Sequence, residues 1–542
     1  MKAFWQRIFL GGVTSNSMLL LAIVIMVVAG NRSYFGQILA VYGFGSTNGL
    51  VMASLPLTLG AATALMLGLV AFGRLTKPIL VTMLLITAVS AYFMDSFSTI
   101  INDEMLLNVA QTNIGEAADL INLRLIAYVC ILGLLPAAIV IMIPVRWRGW
   151  RREILARIVL IAISVGILVG SVLGSNGFYA SFVREHRVIR SYANPTYPVY
   201  SAIKFASAQL SAGAVATVTP LGADARRAAT ATHRKLIIVV VGETARSDRF
   251  SLNGYQRETN PRLSKEKVIS FTEFTSCGTS TASSVPCMFS RLGREAFSIS
   301  AAAKQENVLD VIQRAGAHVL WLDNNSDSKG VALRVPYENY REAAKNPVCD
   351  EECRDVGMLA NLQKFIDGHA TGDIVVVLHQ MGNHGPAYFK RYPKVFERFT
   401  PACQNNDLSQ CSIPEINNAY DNAILYTDHF LAEIIAFLKK NDARFATGMF
   451  YMSDHGESLG EDGVFLHGLP YFIAPRAQIL VPAVMWLGAK FSPAQRQAVT
   501  EKRGVALSHD NLFDTLLGLL DIETAVYQPE LDILRAARKP GR

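Results

Sequence analysis

Four short apolar runs in the C-terminal part of this chain end in acids and histidines. Lys235-Leu236-Ile237-Ile238-Val239-Val240-Val241-Gly242 runs into Glu243, and His318-Val319-Leu320-Trp321-Leu322 into Asp323-Asn324-Asn325, with Lys329 just beyond. Ile374-Val375-Val376-Val377-Leu378 ends at His379, with His384 in the loop after it. Met449-Phe450-Tyr451-Met452 leads into Ser453-Asp454-His455-Gly456-Glu457. One acid or histidine at a strand end is usually a cap or a core group; four such ends in order are harder to dismiss. Carboxylates and imidazoles brought together form a hard-to-borderline site suited to zinc. Glu243, Asp454 and His455 would supply three protein ligands and leave the fourth position to a nucleophile or a phosphate oxygen. The candidate nucleophile lies in Cys277-Gly278-Thr279-Ser280-Thr281-Ala282-Ser283-Ser284-Val285-Pro286-Cys287, a loop read as running into a helix. A hydroxyl is a poor nucleophile at neutral pH, and both a metal and the positive end of a helix favour its alkoxide. Local sequence alone favours the plainer reading, a Ser/Thr helix cap.

The elements that must position these groups are short β-rich runs alternating with helical stretches. That alternation over about residues 234–542 predicts an α/β sandwich with a largely parallel sheet, whose ligands gather outside the carboxyl ends of the strands.

The first third of the chain is of another kind. Of the 542 residues 51% are hydrophobic and only 18% charged, and the excess is concentrated in five runs centred on Leu19–Ala29, Leu50–Phe72, Leu80–Phe93, Leu125–Ile143 and Ile158–Leu173. Each is long enough to cross a bilayer. Lys2 and Arg7 precede the first run, Arg74 and Lys77 separate the second from the third, and Arg146, Arg148, Arg151, Arg152 and Arg157 separate the fourth from the fifth. Cations stay preferentially on the cytoplasmic side, so the N-terminus is expected inside and everything after residue 178 outside. No small-residue cleavage pattern follows the first run, which is therefore read as an uncleaved anchor. The net charge of +7 owes much to the inner loops and is not read as nucleic-acid binding. The expected division is a transmembrane anchor over 1–178, an interfacial linker with an amphipathic helix over 179–233, and a catalytic domain over 234–542.

Six of the seven cysteines lie in the outer part in close pairs, Cys277 with Cys287, Cys349 with Cys353 and Cys403 with Cys411. In an oxidising compartment these spacings predict local disulfides; a zinc ribbon ranks far below them. Cys130, alone within a span, is expected to be a buried small apolar side chain. In the outer loop between the third and fourth spans, Asn108, Thr112 and Glu116 stand at i, i+4 and i+8, one side of a helix. Near headgroup depth such a carboxylate could pair with an ammonium; the plainer reading is a solvated polar face.

These motifs resemble those of the phosphoethanolamine transferases that modify lipid A in Gram-negative bacteria, a family that includes the mobile colistin-resistance enzymes. Val241-Gly242-Glu243-Thr244-Ala245-Arg246, Ser276-Cys277-Gly278-Thr279-Ser280-Thr281, Met381-Gly382-Asn383-His384-Gly385-Pro386, Ser453-Asp454-His455-Gly456-Glu457 and Leu466-His467-Gly468 follow the family's order. The resemblance implies a five-helix transmembrane bundle joined to a periplasmic α/β/α sandwich of alkaline-phosphatase and sulfatase type. It implies that Glu243, Thr281, Asp454 and His455 bind one catalytic zinc, and that Thr281 becomes phosphoethanolaminylated. His384 and His467 match the pair that contacts the phosphoryl group or a second zinc and assists proton transfer. Lys329 matches a phosphate-binding cation, His379 another polar residue near the site, and Asn108, Thr112 and Glu116 a stripe associated with donor-lipid binding. The expected reaction moves phosphoethanolamine from phosphatidylethanolamine to a lipid A phosphate and releases diacylglycerol, with polymyxin resistance as its consequence. The expected setting is the inner membrane, without a nucleic-acid partner, for a monomeric protein.

Alternatives are a transferase acting on a core sugar of lipopolysaccharide, a phosphoglycerol transferase or sulfatase of the same superfamily, and a non-catalytic membrane metal sensor. The sulfatase Cys-x-Pro-x-Arg signature is missing, since Met288-Phe289-Ser290-Arg291 follows Cys287.

Overall fold

The computed structural model of the chain describes residues 12–43, 49–112, 114–175, 187–212 and 218–535, with positions 179 and 182 between them. Lys2 and Arg7 lie outside these residues. The chain divides into two compact units, Met1–Leu106 with Ile121–Ser207, and Leu107–Leu120 with Ala208–Arg542.

In the first unit each of the five apolar runs lies in a helical stretch: Ser15–Ala29, Gly49–Val70, Thr76–Phe97, Leu123–Met142 and Trp150–Gly174. Gly73–Phe97, Leu123–Met142 and Trp150–Gly174 are long and apolar enough to cross a membrane, and Ser15–Ala29 does so as a pair with Arg32–Val41, bent by 53°. Ser54–Val70 is a shorter apolar helix. Outward-facing Leu, Ile and Val side chains such as Leu69, Leu135 and Leu173 remain exposed, as they do when lipid and not protein is the surrounding solvent. Cys130 departs from expectation. It is exposed on the helix surface because the inner face of Leu123–Met142 is taken by residues such as Gly133, whose position lies against Leu85 and Ala88. Tyr179 and Tyr192 are buried in the same unit, Tyr192 donating to the Ser98 carbonyl at 2.5 Å.

The second unit is built on a seven-stranded sheet. In chain order its strands are β1 (Lys235–Gly242), β2 (Ile269–Phe271), β3 (His318–Asp323), β4 (Tyr337–Asn339), β5 (Ile374–His379), β6 (Ala446–Ser453) and β7 (Ala483–Leu487). They lie in the order β2-β7-β6-β1-β5-β3-β4. Neighbours from β6 to β4 pair parallel, and β7 alone is reversed, antiparallel to both β6 and β2. β1 and β5 are dominated by Val, Ile and Leu, and β6 by Met and aromatic residues, because both faces are covered: every residue of β1, β5 and β6 is buried. Val239, Val241, Phe274, Trp321 and Phe450 belong to the core on one side. The 29-residue helix Ile413–Asn441 packs against β6. It starts at a reciprocal capping box between Ser412 and Glu415, with a proline in its first turn.

Register converts the strand ends into a site. Ser453 pairs with Gly242, Val241 with His379, and His379 with Asp323. Glu243, Asp454, His379 and Asp323 therefore come out side by side at the carboxyl edge.

Candidate active site

Glu243 follows the last residue of β1, and its backbone is held in a tight turn. Thr244 adopts φ 58°, a left-handed conformation costly for a β-branched residue. Its N–H donates to Asp454 Oδ1 at 3.2 Å and its hydroxyl to Glu243 Oε1. Gly382, at φ 51°, passes over this turn so closely that a Cβ there would stand 2.8 Å from the Glu243 carbonyl oxygen. The nearest ligand atoms of Glu243, Asp454 and His455 all lie within 4.8 Å of one another, and all three residues are fully buried. His455 Nε2 stands 3.3 Å from Glu243 Oε1 and 3.3 Å from Asp454 Oδ2, while its Nδ1 meets the Gly456 carbonyl at 2.9 Å. Among the described residues, Asp454 Oδ2 is buried without a hydrogen-bond donor.

Thr281 completes the group. It is the first residue of the helix Thr281–Met288, and its N-cap, Ser280, makes no side-chain capping bond. The Thr281 hydroxyl turns instead into the cluster, donating to Glu243 Oε2 at 3.1 Å, with His455 Nε2 at 3.3 Å.

The electrostatics follow from burying two carboxylates together. Burial would raise the Glu243 carboxyl, but the hydrogen bond and charge of His455 hold it well below the ordinary carboxylate range. Asp454 is pushed up, by burial first and then by the Glu243 charge. Burial lowers His455, yet Asp454 and Glu243 together bring it up to about 10. Two buried carboxylates, an imidazole, a nearby hydroxyl and one unmatched carboxylate oxygen form a donor set that fits a divalent cation of the zinc type.

Around this cluster stand the other expected residues. His467 Nδ1 donates to Glu457 Oε2 at 2.8 Å, and Tyr388 donates to the other oxygen of Glu457 at 2.6 Å. The His467 ring lies 4.2 Å from that of His455 and 6.0 Å from that of His384, centroid to centroid. Among the described residues, His384 Nδ1 is buried without a partner. His379, fully buried, bonds Asp323 Oδ2 through Nδ1 at 2.9 Å, and its Nε2 has no partner among the described residues. The Lys329 ammonium is engaged by two carbonyls, those of Ser326 at 3.1 Å and Gln111 at 3.2 Å.

The single helix expected beneath Asn108, Thr112 and Glu116 is broken: Asp103–Gln111 and Ile114–Asp119 are separate helices. The Thr112 hydroxyl turns back to the Asn108 carbonyl at 2.8 Å at the end of the first, a bond that slightly destabilises or bends a helix. The i, i+4, i+8 face is therefore divided, although Glu116 is buried. The three expected disulfides are all present, Cys277–Cys287, Cys349–Cys353 and Cys403–Cys411, which removes the zinc-ribbon alternative.

Sequence reasoning gave no role to two residues that the site uses. Asn325 Nδ2 donates to Glu243 Oε2 at 2.9 Å, and only its position after β3 hinted at this. His509 left no local signal. Its Nδ1 accepts the Cys277 N–H at 3.0 Å and its Nε2 donates to the Ser453 carbonyl at 2.9 Å, tying the Thr281 loop to β6. Those two bonds require the neutral ring, and burial pushes its pKa down to about 3. Between the unfolded value near 6.5 and that figure the folded protein binds fewer protons, so this stability is full above 6.5 and falls with decreasing pH, by at most about 1.4 kcal/mol per pH unit. Replacing His509 with Phe is expected to cost about 3 kcal/mol at neutral pH, through a buried N–H and carbonyl left unpaired. The gap from wild type should narrow as pH falls from 7 to 5 in thermal or denaturant unfolding. A constant gap would show that His509 does not carry this proton linkage.

A mostly parallel sheet with a buried acid–histidine cluster at its carboxyl edge and a hydroxyl at a helix start defines a domain of sulfatase type. The family model described as Sulfatase matches residues 235–522, and that of phosphoethanolamine transferase EptA/EptB matches residues 59–210. The chain is 41% identical over 510 residues to phosphatidylethanolamine transferase Mcr-1 of Escherichia coli, covering 92% of this chain and 93% of that one. It is 38% identical over 551 residues to phosphoethanolamine transferase EptA of Salmonella typhimurium, covering 99% of each. The integral membrane lipooligosaccharide phosphoethanolamine transferase A (EptA) of Neisseria meningitidis superposes with a TM-score of 0.92 at 33% identity, over 98% of this chain and all of that one. The chain belongs to the phosphoethanolamine transferase family.

Proposed function

We propose that the protein transfers phosphoethanolamine from phosphatidylethanolamine to a phosphate of lipid A, with Thr281 as the transiently modified residue and zinc as the cation held by Glu243, Asp454 and His455. The observation that carries this reading is the Thr281 hydroxyl, turned away from a capping role and into a buried acid–histidine cluster. In the first step Thr281 Oγ1 gives up its hydrogen and attacks phosphorus, a P–Oγ1 bond forms, the bond to the glycerol oxygen breaks, and diacylglycerol leaves with a proton that balances the one the hydroxyl lost. In the second, an oxygen of a lipid A phosphate attacks the same phosphorus and Oγ1 leaves, recovering its hydrogen. Bound zinc supplies positive charge for the phosphoryl oxygens and favours the ionised hydroxyl.

The chain's own groups handle protons and orientation. Glu243 Oε2 accepts the Thr281 hydrogen bond and is itself steadied by Asn325. Glu457 fixes Nδ1–H of His467, so Nε2 is the nitrogen that gives a proton to the departing oxygen and takes one from the acceptor. His384 stands beside it. Lys329 is assigned as a phosphate-binding cation and the buried His379 as a polar residue near the site, and Asn108, Thr112 and Glu116 are assigned to the ethanolamine headgroup.

The expected setting is the outer face of a bacterial inner membrane, with the N-terminus cytoplasmic and the catalytic domain periplasmic. Both substrates lie in that leaflet. An ammonium added to a lipid A phosphate lowers negative surface charge and weakens binding of cationic peptides such as polymyxins. Zinc-loaded full-length protein incubated with phosphatidylethanolamine should carry a phosphoethanolamine adduct confined to Thr281 by peptide mass spectrometry. Absence of both adduct and released diacylglycerol would overturn the proposed donor and nucleophile.

A further inference from the structure

The segment Leu107–Leu120 belongs by its contacts to the α/β unit, and it is tied there near both ends. Towards its start, the Lys329 ammonium donates to the Gln111 carbonyl. At its end, Asp119 meets Lys390 Nζ through Oδ1 at 2.6 Å and Arg391 Nη2 through Oδ2 at 2.7 Å. Asn406 Nδ2 donates to the Asp119 carbonyl at 2.8 Å. Burial would raise the Asp119 carboxyl, but the two cations outweigh it and hold the group below its ordinary range.

Arg391 is the hub. Its side chain is 1% exposed, and while one end of the guanidinium holds Asp119, Nη1 pairs with Glu352 and Nε donates to the carbonyl of His384 at 2.6 Å. A cavity of about 460 Å3 opens among these groups, lined by Glu116, Asp119, Asn324, Met381, Lys390 and Arg391 among others. A guanidinium is planar, so the directions of its N–H donors are fixed with respect to one another. A backbone carbonyl and a carboxylate 265 residues apart in sequence (384 − 119 = 265) are thereby set by one rigid group.

We propose that Arg391 is a positioning residue that sets the backbone carrying His384 and the Leu107–Leu120 segment as one arrangement, so that headgroup seating beside Glu116 and the placement of His384 beside the proton-transferring His467 depend on the same guanidinium. This rests on the transfer reading above. Lysine in its place keeps the charge and loses the fork. Asp119→Asn keeps an acceptor and loses the charge that draws the segment in, while Arg391 retains Glu352 and is not left as a lone buried cation.

The test follows the rate of Thr281 modification against phosphatidylethanolamine concentration, using full-length zinc-loaded protein in mixed micelles, with folded fraction and zinc content measured alongside. Arg391→Lys is expected to lower kcat about 10-fold or more and to raise KM, as displaced catalytic groups do. Asp119→Asn should raise KM about 5-fold with a smaller effect on kcat, and Asp119→Glu should recover most of that loss. Wild-type KM and kcat in both Arg391→Lys and Asp119→Asn would overturn the proposal, as would a loss matching only the drop in folded, zinc-loaded protein. No adduct on the wild-type protein would sink the transfer reading itself, and this inference with it. An adduct on wild type with indifferent variants sinks this inference alone.

Discussion

Thr281→Ala is expected to abolish the phosphoethanolamine adduct and to lower transfer by about 10³-fold or more, the scale on which removal of a covalent nucleophile acts. The fold should survive. Thr281 is buried, but its hydroxyl bonds only to site groups, and Glu243 Oε2 keeps the Asn325 amide when that hydroxyl is gone. Loss of one hydroxyl and one methyl at a helix start, where alanine is well tolerated, costs about 1 kcal/mol. Thr281→Ser retains an oxygen at the same bond length from the backbone and should retain measurable transfer, reduced by the freer rotation of an unbranched side chain. The check is adduct mass and diacylglycerol release beside a thermal melt of each variant. Undiminished transfer by the alanine variant would remove the covalent scheme, leaving direct attack by the acceptor.

Cation removal should have the next largest effect. With a chelator, transfer should fall by more than about 10²-fold and return on adding zinc, and the melting temperature should drop. The drop should also grow with pH. In the cation-free folded protein, burial and then Glu243 raise Asp454, and the neighbouring carboxylates bring His455 up to about 10 despite burial. Both groups hold their protons in the folded state more tightly than in the unfolded chain. Their contribution is present below the unfolded values and is lost as pH rises towards the folded ones, by up to about 1.4 kcal/mol per pH unit for each proton. A bound cation takes the place of those protons. The difference in melting temperature between zinc-loaded and chelated protein is therefore expected to widen from pH 6 to pH 8.5. A difference that narrows with pH would mean that the cation does not sit among these three residues.

Much of this architecture is legible locally. β1 and β5 announce themselves as Val and Ile runs, and β6 as a Met and aromatic one, because a sheet covered on both faces needs no polar alternation. Each announces its functional end as well, since the residue leaving the sheet is the first that can be polar: Glu243 after β1, Asp454 after β6, Asp323 and His379 at the last positions of β3 and β5. The disulfides are equally local, closing separations of 10, 4 and 8 residues. Local reading failed where a weak segment could go either way. Asn108–Glu116 has helical spacing, yet Asp103–Gln111 and Ile114–Asp119 are separate helices. Cys130 was misplaced because composition marks a span without saying which side meets lipid.

The amino-acid sequence by itself determined the two-part character of the protein, the strands of its sheet, the groups at their ends and the close cysteine pairs, because each depends on residues within a dozen positions of one another. Only the tertiary structure decided which groups meet. Strand order places β6 beside β1, so that the Thr244 N–H reaches Asp454 across 210 residues. The same folding brings Arg391 to Asp119 across 272 residues, and His509 to Cys277 across 232. No periodicity records such pairings. They arise when a sheet of non-sequential strands buries its faces and leaves each polar group at its edge to bond whatever the topology has brought within reach.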